Sequence, residues 1–193
     1  MVDLLVQYGV ELPVGRRDIE PLTHAASLGH GDIADILLKA GADPNTNNGL
    51  PLLEAANAGH ADIVETLLNH SADVHVQGDR ALLDAAETGW LDVVTLLLNR
   101  GADVHAQGDR VLLCVVEMGA REHRHNVGTW FDPLKHRRDH FKVAELLLRR
   151  GANTTVTDTL GRTPLDIAAE YNHSTLINLL CAIQSRSEEF LAL

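Results

Sequence analysis

The side chains of this sequence best suited to chemistry are carboxylates and imidazoles that recur at a fixed interval. Glu54, Asp84 and Glu87 lie in stretches that repeat every 30 residues, and His75 and His105 head two near-identical segments, His75-Val76-Gln77-Gly78-Asp79-Arg80 and His105-Ala106-Gln107-Gly108-Asp109-Arg110. A carboxylate facing an imidazole can move protons on a bound small molecule, which is all that a cofactor-independent isomerase, cyclase or dehydratase requires. Covalent and nucleotide chemistry find no foothold: the chain has no nucleophile elbow, P-loop, dinucleotide fingerprint or H-E-x-x-H. Cys114 lies near Glu117 without an assured imidazole base, which disfavours its thiolate. His123-Arg124-His125 and the His136/His140 pair have spacings that could hold zinc, copper or nickel. His140, however, shares a repeat position with His30, His60 and His173, and without it the set is too small. Neither a metal nor a cofactor is expected.

Two registers of repetition must position these groups. Gly41-Ala42-Asp43, Ser71-Ala72-Asp73 and Gly101-Ala102-Asp103 recur every 30 residues, each after a leucine-rich stretch, and Gly151-Ala152-Asn153 is a fourth copy displaced by 50. The second register is Pro21-Leu22-Thr23-His24-Ala25-Ala26, Pro51-Leu52-Leu53-Glu54-Ala55-Ala56, Ala81-Leu82-Leu83-Asp84-Ala85-Ala86, Val111-Leu112-Leu113-Cys114-Val115-Val116 and Pro164-Leu165-Asp166-Ile167-Ala168-Ala169. Proline suits the first turn of a helix, where its missing N–H would have no intrahelical partner. Leu and Ala three to four residues apart form one apolar stripe. Gly29, Gly59 and Gly89 then end the helix, and a second, leucine-rich helix follows. Such a helix pair cannot bury its apolar face alone, whereas a stack of pairs can.

These units resemble ankyrin repeats, most closely at Gly161-Arg162-Thr163-Pro164-Leu165-Asp166-Ile167-Ala168-Ala169, and the resemblance covers about residues 2–183. It implies an all-α solenoid of stacked helix-turn-helix units with short finger loops, about five and a half of them, in a single domain spanning 1–193. The sequence departs from the family in three ways. The middle units are 30 residues long, the shortening falling in the fingers. The chain starts in an outer helix, roughly Val2–Tyr8, with no inner helix before it, as a cap or a cut from something longer would. One unit carries an insertion, 119–138. The tail 184–193 is expected to add a short helix, with Phe190, Leu191 and Leu193 covering the last unit.

In that family a groove lies between the fingers and the exposed face of the inner helices. Carried over by position, the face runs through His24, Ser27 and Leu28; Glu54, Asn57 and Ala58; Asp84, Glu87 and Thr88; Cys114, Glu117 and Met118; and Ile167, Glu170 and Tyr171. The helical period agrees, since Glu54, Asn57 and Ala58 share the side opposite Leu52, Ala55 and Ala56. The implied contacts are His24, Glu54, Asn57, Asp84, Glu87 and Glu117 from the helices, with His75, Gln77, Arg80, His105, Gln107 and Arg110 from the fingers. The acidic centre of the face suits a basic peptide or a cationic small molecule, or is an ordinary solvated surface. The twin fingers read either as two copies of one contact or as a duplication whose Asp–Arg pairs form exposed finger-to-finger salt bridges of little energetic value. Across a narrow groove His75 or His105 could also face Glu54, Asp84 and Glu87, which is the enzymatic alternative.

From Gly119 to His140 the chain has five basic residues against three acidic ones, together with four histidines and Trp130. A loop of that length is usually functional or disordered; beside an acidic stripe it reads as a lid or an electrostatic neighbour. Trp130 is a contact candidate, or pins the loop to the domain. Trp90, in the histidine position, is expected to pack at the start of an outer helix.

Composition limits the partners. Of 193 residues 45% are apolar but only 4% aromatic, so the core is built from Leu, Val, Ile and Ala. A net charge of −11 repels phosphate backbones, which argues against nucleic acid. No run approaches the ~20 apolar residues of a membrane span, the start lacks the pattern of a signal peptide, and two cysteines make no disulfide framework. An intracellular protein, cytoplasmic or nuclear, is expected. The leading expectation is a scaffold that binds a protein or peptide, a small-molecule ligand remaining possible.

Overall fold

The computed structural model describes residues 21–125 and 139–191. Ten α-helices occur among them, arranged as five inner–outer pairs. The inner helices are α1 (Pro21–Leu28), α3 (Thr46–Ala58), α5 (Arg80–Thr88), α7 (Ala106–His125) and α9 (Pro164–Glu170). The outer helices are α2 (Gly31–Lys39), α4 (Ala61–Asn69), α6 (Leu91–Asn99), α8 (His140–Arg149) and α10 (Ser174–Leu191). Each inner helix packs on the next inner helix and each outer helix on the next outer one, so two parallel layers form. The core between them is aliphatic. Leu52, Leu82 and Leu112 repeat along the inner layer, Leu67, Leu97 and Leu147 along the outer, each at most 1% exposed.

The Gly-Ala-Asp signature does three jobs at each outer-helix end. Its first residue is left-handed, its alanine amide returns to the helix (Ala42 N–H to Leu37 C=O, Ala102 N–H to Leu97 C=O, both 3.0 Å), and its acid closes the next turn. Asp43, Asp73, Asp103 and Asn153 each accept, at 2.9 Å, the amide two residues on. This is a Schellman cap followed by an Asx turn. Ser71 stands at φ 70 where Gly41, Gly101 and Gly151 occupy the same position. A left-handed non-glycine costs about 1–2 kcal/mol, and glycine's extra unfolded-state freedom returns about 0.4–1 kcal/mol of that. Ser71→Gly is therefore expected to stabilise the fold by about 0.5–1 kcal/mol, read from the urea unfolding midpoint.

The shortened fingers have a definite conformation. Asn47-Asn48-Gly49, Gln77-Gly78-Asp79 and Gln107-Gly108-Asp109 are each three consecutive left-handed residues; the first and third kink the spans of α3 and α7 near their starts, and the second ends just before α5. Asn, Asp and Gly tolerate that region; Gln does so rarely. The fifth unit keeps the longer finger: Asp158 accepts the amides of Leu160 and Arg162, and Thr163 caps α9 in a reciprocal pair with Asp166.

Two expectations are corrected. The insertion does not begin as a loop. Gly119 aligns with Gly29, Gly59 and Gly89 yet lies outside the left-handed region, and α7 runs through it to His125. No immediate reversal is needed there, because the outer helix of this unit begins only at His140; just before it, the Asp139 amide donates to Gly89 C=O at 2.9 Å. The tail forms no separate helix: Gln184–Leu191 continues α10. The proposed first outer helix, Val2–Tyr8, and the last residue of the tail, Leu193, lie outside the described residues.

Candidate functional site

The inner helices carry a more exposed face opposite their buried Leu/Ala stripe, and most of the expected positions occupy it. His24, Leu28, Asn57 and Glu170 are exposed; Glu54, Asp84, Glu87, Cys114, Glu117 and Tyr171 are half-buried. Ile167 is the exception. It is 1% exposed, at the base of a cleft that it lines with Leu113 and residues of the longer fifth finger.

The acidic stripe is less uniform than four carboxylates in a row. Arg80 Nε donates to Asp84 at 2.6 Å, one helical turn away, and Arg121 to Glu117 at the same distance. Arg121 belongs to the insertion, whose basic start thus neutralises part of the face; it also bonds Tyr171. Glu54 and Glu87 have no ion-pair partner among the described residues. The expected finger-to-finger Asp–Arg bridges are absent from that set, since Arg80 turns to its own helix.

The finger residues engage one another. Gln77 Nε2 donates to Asn48 C=O at 3.2 Å, and Gln107 Nε2 to Gln77 C=O at 2.8 Å and Gly78 C=O at 2.7 Å. Asn45 accepts the Asp73 amide at 2.7 Å, and Asp79, 6% exposed, accepts the Asp103 amide at 3.1 Å. His75 Nδ1 donates to Asp79, and His105 Nδ1 to Asp109. The imidazoles thus serve their own fingers. The pairing of His75 or His105 with Glu54, Asp84 or Glu87 that the acid–base alternative needs does not occur among the described hydrogen bonds. Sequence reasoning missed this ladder, although its signal was present: an acid four residues after each histidine.

The hydrogen bond from His105, then that from Asn153, holds the Asp109 carboxyl below the usual carboxylate range. A depressed folded-state pKa contributes stability above the unfolded value, and the contribution is lost as pH falls through the folded one. The wild type should therefore lose stability below roughly pH 4. Asp109→Asn should lose less over the same interval, a difference that thermal unfolding against pH measures.

A cleft of about 410 Å³ opens between the fourth and fifth units. Leu113, Cys114 and Ile167 floor it, and Arg110, Glu117, Asp158 and Arg162 stand around it. Arg162 is engaged, Nε with Asp158 and Nη1 with Glu170. Burial first, then the charge of Glu87, pushes the Cys114 thiol up, away from nucleophilic use. Among the described residues no three His, Cys, Asp or Glu side chains gather as a metal site, and no helix is long and apolar enough to cross a membrane. His123, His125, His136 and Trp130 have no described side chain.

Stacked helix pairs, capped outer helices and a laced row of fingers define a repeat scaffold of the kind that displays a surface to a partner. Residues 22–108 match the family model described as ankyrin repeats, in three copies. Residues 22–108 are thus ankyrin repeats, which generally mediate protein–protein interaction. A comparison with curated proteins found no match.

Proposed function

We propose that this protein is a binding module that holds a protein or peptide along its concave face, with a basic segment of the partner opposite Glu54 and Glu87. The observation that carries this reading is the asymmetry of the acidic stripe: Asp84 and Glu117 are neutralised by arginines of their own helices, whereas Glu54 and Glu87 are not. Half-buried carboxylates without counter-ions favour a cation delivered from outside, and steer it during encounter. The laced fingers support the same reading, because a preordered groove loses less entropy on binding.

The test is affinity capture with mass spectrometry, comparing the wild type with Glu54→Gln/Glu87→Gln and with Asp92→Asn on an exposed outer helix. A polypeptide retained by the wild type and by Asp92→Asn, and weakened about tenfold or more by the double variant, supports the groove. Retention that the double variant leaves unchanged rejects it.

A further inference from the structure

The two near-identical fingers end in arginines with different fates. Arg80 is paired with Asp84, one helical turn on. Arg110 has Cys114 at the corresponding position, and makes no hydrogen bond or ion pair among the described residues. It is exposed, at the edge of the cleft between the fourth and fifth units. The other charges around that cleft are accounted for. Glu117 is held by Arg121, and Arg162 holds both Asp158 and Glu170. Glu87 is not among the residues that line the cleft, although its charge reaches Cys114 from the third unit, and it has no ion-pair partner among the described residues. The floor is largely aliphatic, and Leu160, next in sequence to the lining residue Thr159 at the turn of the longer finger, is 74% exposed. An aliphatic floor, one uncommitted guanidinium and an exposed leucine suit a side chain with a short apolar stem and a carboxylate end, because a guanidinium meets a carboxylate with paired donors.

We propose that this cleft receives an acidic side chain, Asp or Glu, of the polypeptide that lies in the groove, with Arg110 as its counter-ion and Leu160 packing against a neighbouring apolar residue. The proposal rests on the groove reading above and adds a polarity to it. The partner places a basic residue over Glu54 and Glu87 and an acidic one over Arg110, so only one direction of the chain matches both. The near-repeat of the finger sequence conceals this difference, which is created by one residue: cysteine in place of aspartate four positions after the arginine.

A random dodecapeptide display library panned on the intact protein tests it. The selected peptides should be enriched in Asp or Glu, and synthetic versions should bind the wild type. Arg110→Gln, checked by circular dichroism for unchanged folding, should weaken them roughly ten- to hundred-fold. Replacing the peptide's acid by its amide should cost as much, and the two changes together little more, since both remove the same contact. Peptides weakened by Glu54→Gln/Glu87→Gln but indifferent to Arg110→Gln overturn the cleft assignment and leave the groove standing. Peptides that need only a free C-terminal carboxylate, and are lost on amidation, overturn the side-chain assignment. A library yielding no peptide sensitive to either variant overturns both readings.

Discussion

Gly59→Ala should destabilise this protein by about 2–5 kcal/mol, far more than an exposed glycine at a similar backbone angle. Gly59 ends α3 at φ 79. A methyl group there would lie 2.5 Å from Cδ2 and Cε2 of Trp90. The indole cannot move aside easily: Trp90 is 6% exposed, and its Nε1–H donates to Asn57 C=O at 2.9 Å. Left-handed strain supplies about 1–2 kcal/mol of the expected loss, and overpacking about 1–3 kcal/mol. Gly101→Ala is the matched control. Gly101 is also left-handed, at φ 99, but an added methyl meets nothing within 4 Å, so only the strain remains. Urea unfolding of the two variants separates the contributions. Because each unit touches only its neighbours, a lesion between the second and third units should also weaken their coupling, so the Gly59→Ala transition should broaden or split.

Trp90→Ala should cost about 3–5 kcal/mol, and Trp90→His distinctly less. The same position holds His60, which packs over Gly29, and His140, which packs over Gly89 and donates Nε2–H to Glu87 C=O at 2.9 Å. Each ring covers the glycine that ends the preceding inner helix, and in two of the three cases its N–H satisfies a carbonyl of that helix end. Histidine can reproduce the donor but fills less volume than indole; alanine does neither. The two sites should also be coupled. Gly59→Ala placed in the Trp90→Ala background should cost little beyond its backbone strain, because the obstructing ring is gone. Additive losses in that double-mutant cycle would show that the glycine and the tryptophan act independently.

The repeat pattern was legible because it is written in residue types that local physics reads directly. Proline at helix starts, glycine at helix ends and Leu/Ala at helical spacing signal where the elements fall, and each of the five inner helices contains the expected start, although the spans of α3 and α7 begin earlier, in the finger turns. The shared position of Trp90, His60 and His140 was visible too, since equal register places equal packing. The extension of α7 was not. Gly119 carries the same stop signal as Gly59, but the signal acts only where the chain must turn back at once, and the insertion removes that requirement.

The candidate site was legible as a list and not as a set of partners. Composition and register determined that Glu54, Asp84, Glu87 and Glu117 share one face, and that Arg80 and Arg110 end the twin fingers. Only the tertiary structure decided which of them are free. Asp84 and Glu117 are taken by arginines on their own helices, while Gln77, Gln107, His75 and His105 are taken by the finger ladder. The physical reason is that a charge's availability depends on the few ångströms around it. Side chains 30 residues apart in sequence become neighbours only once the units stack, and a hydrogen bond made there removes a group from the surface offered to a partner.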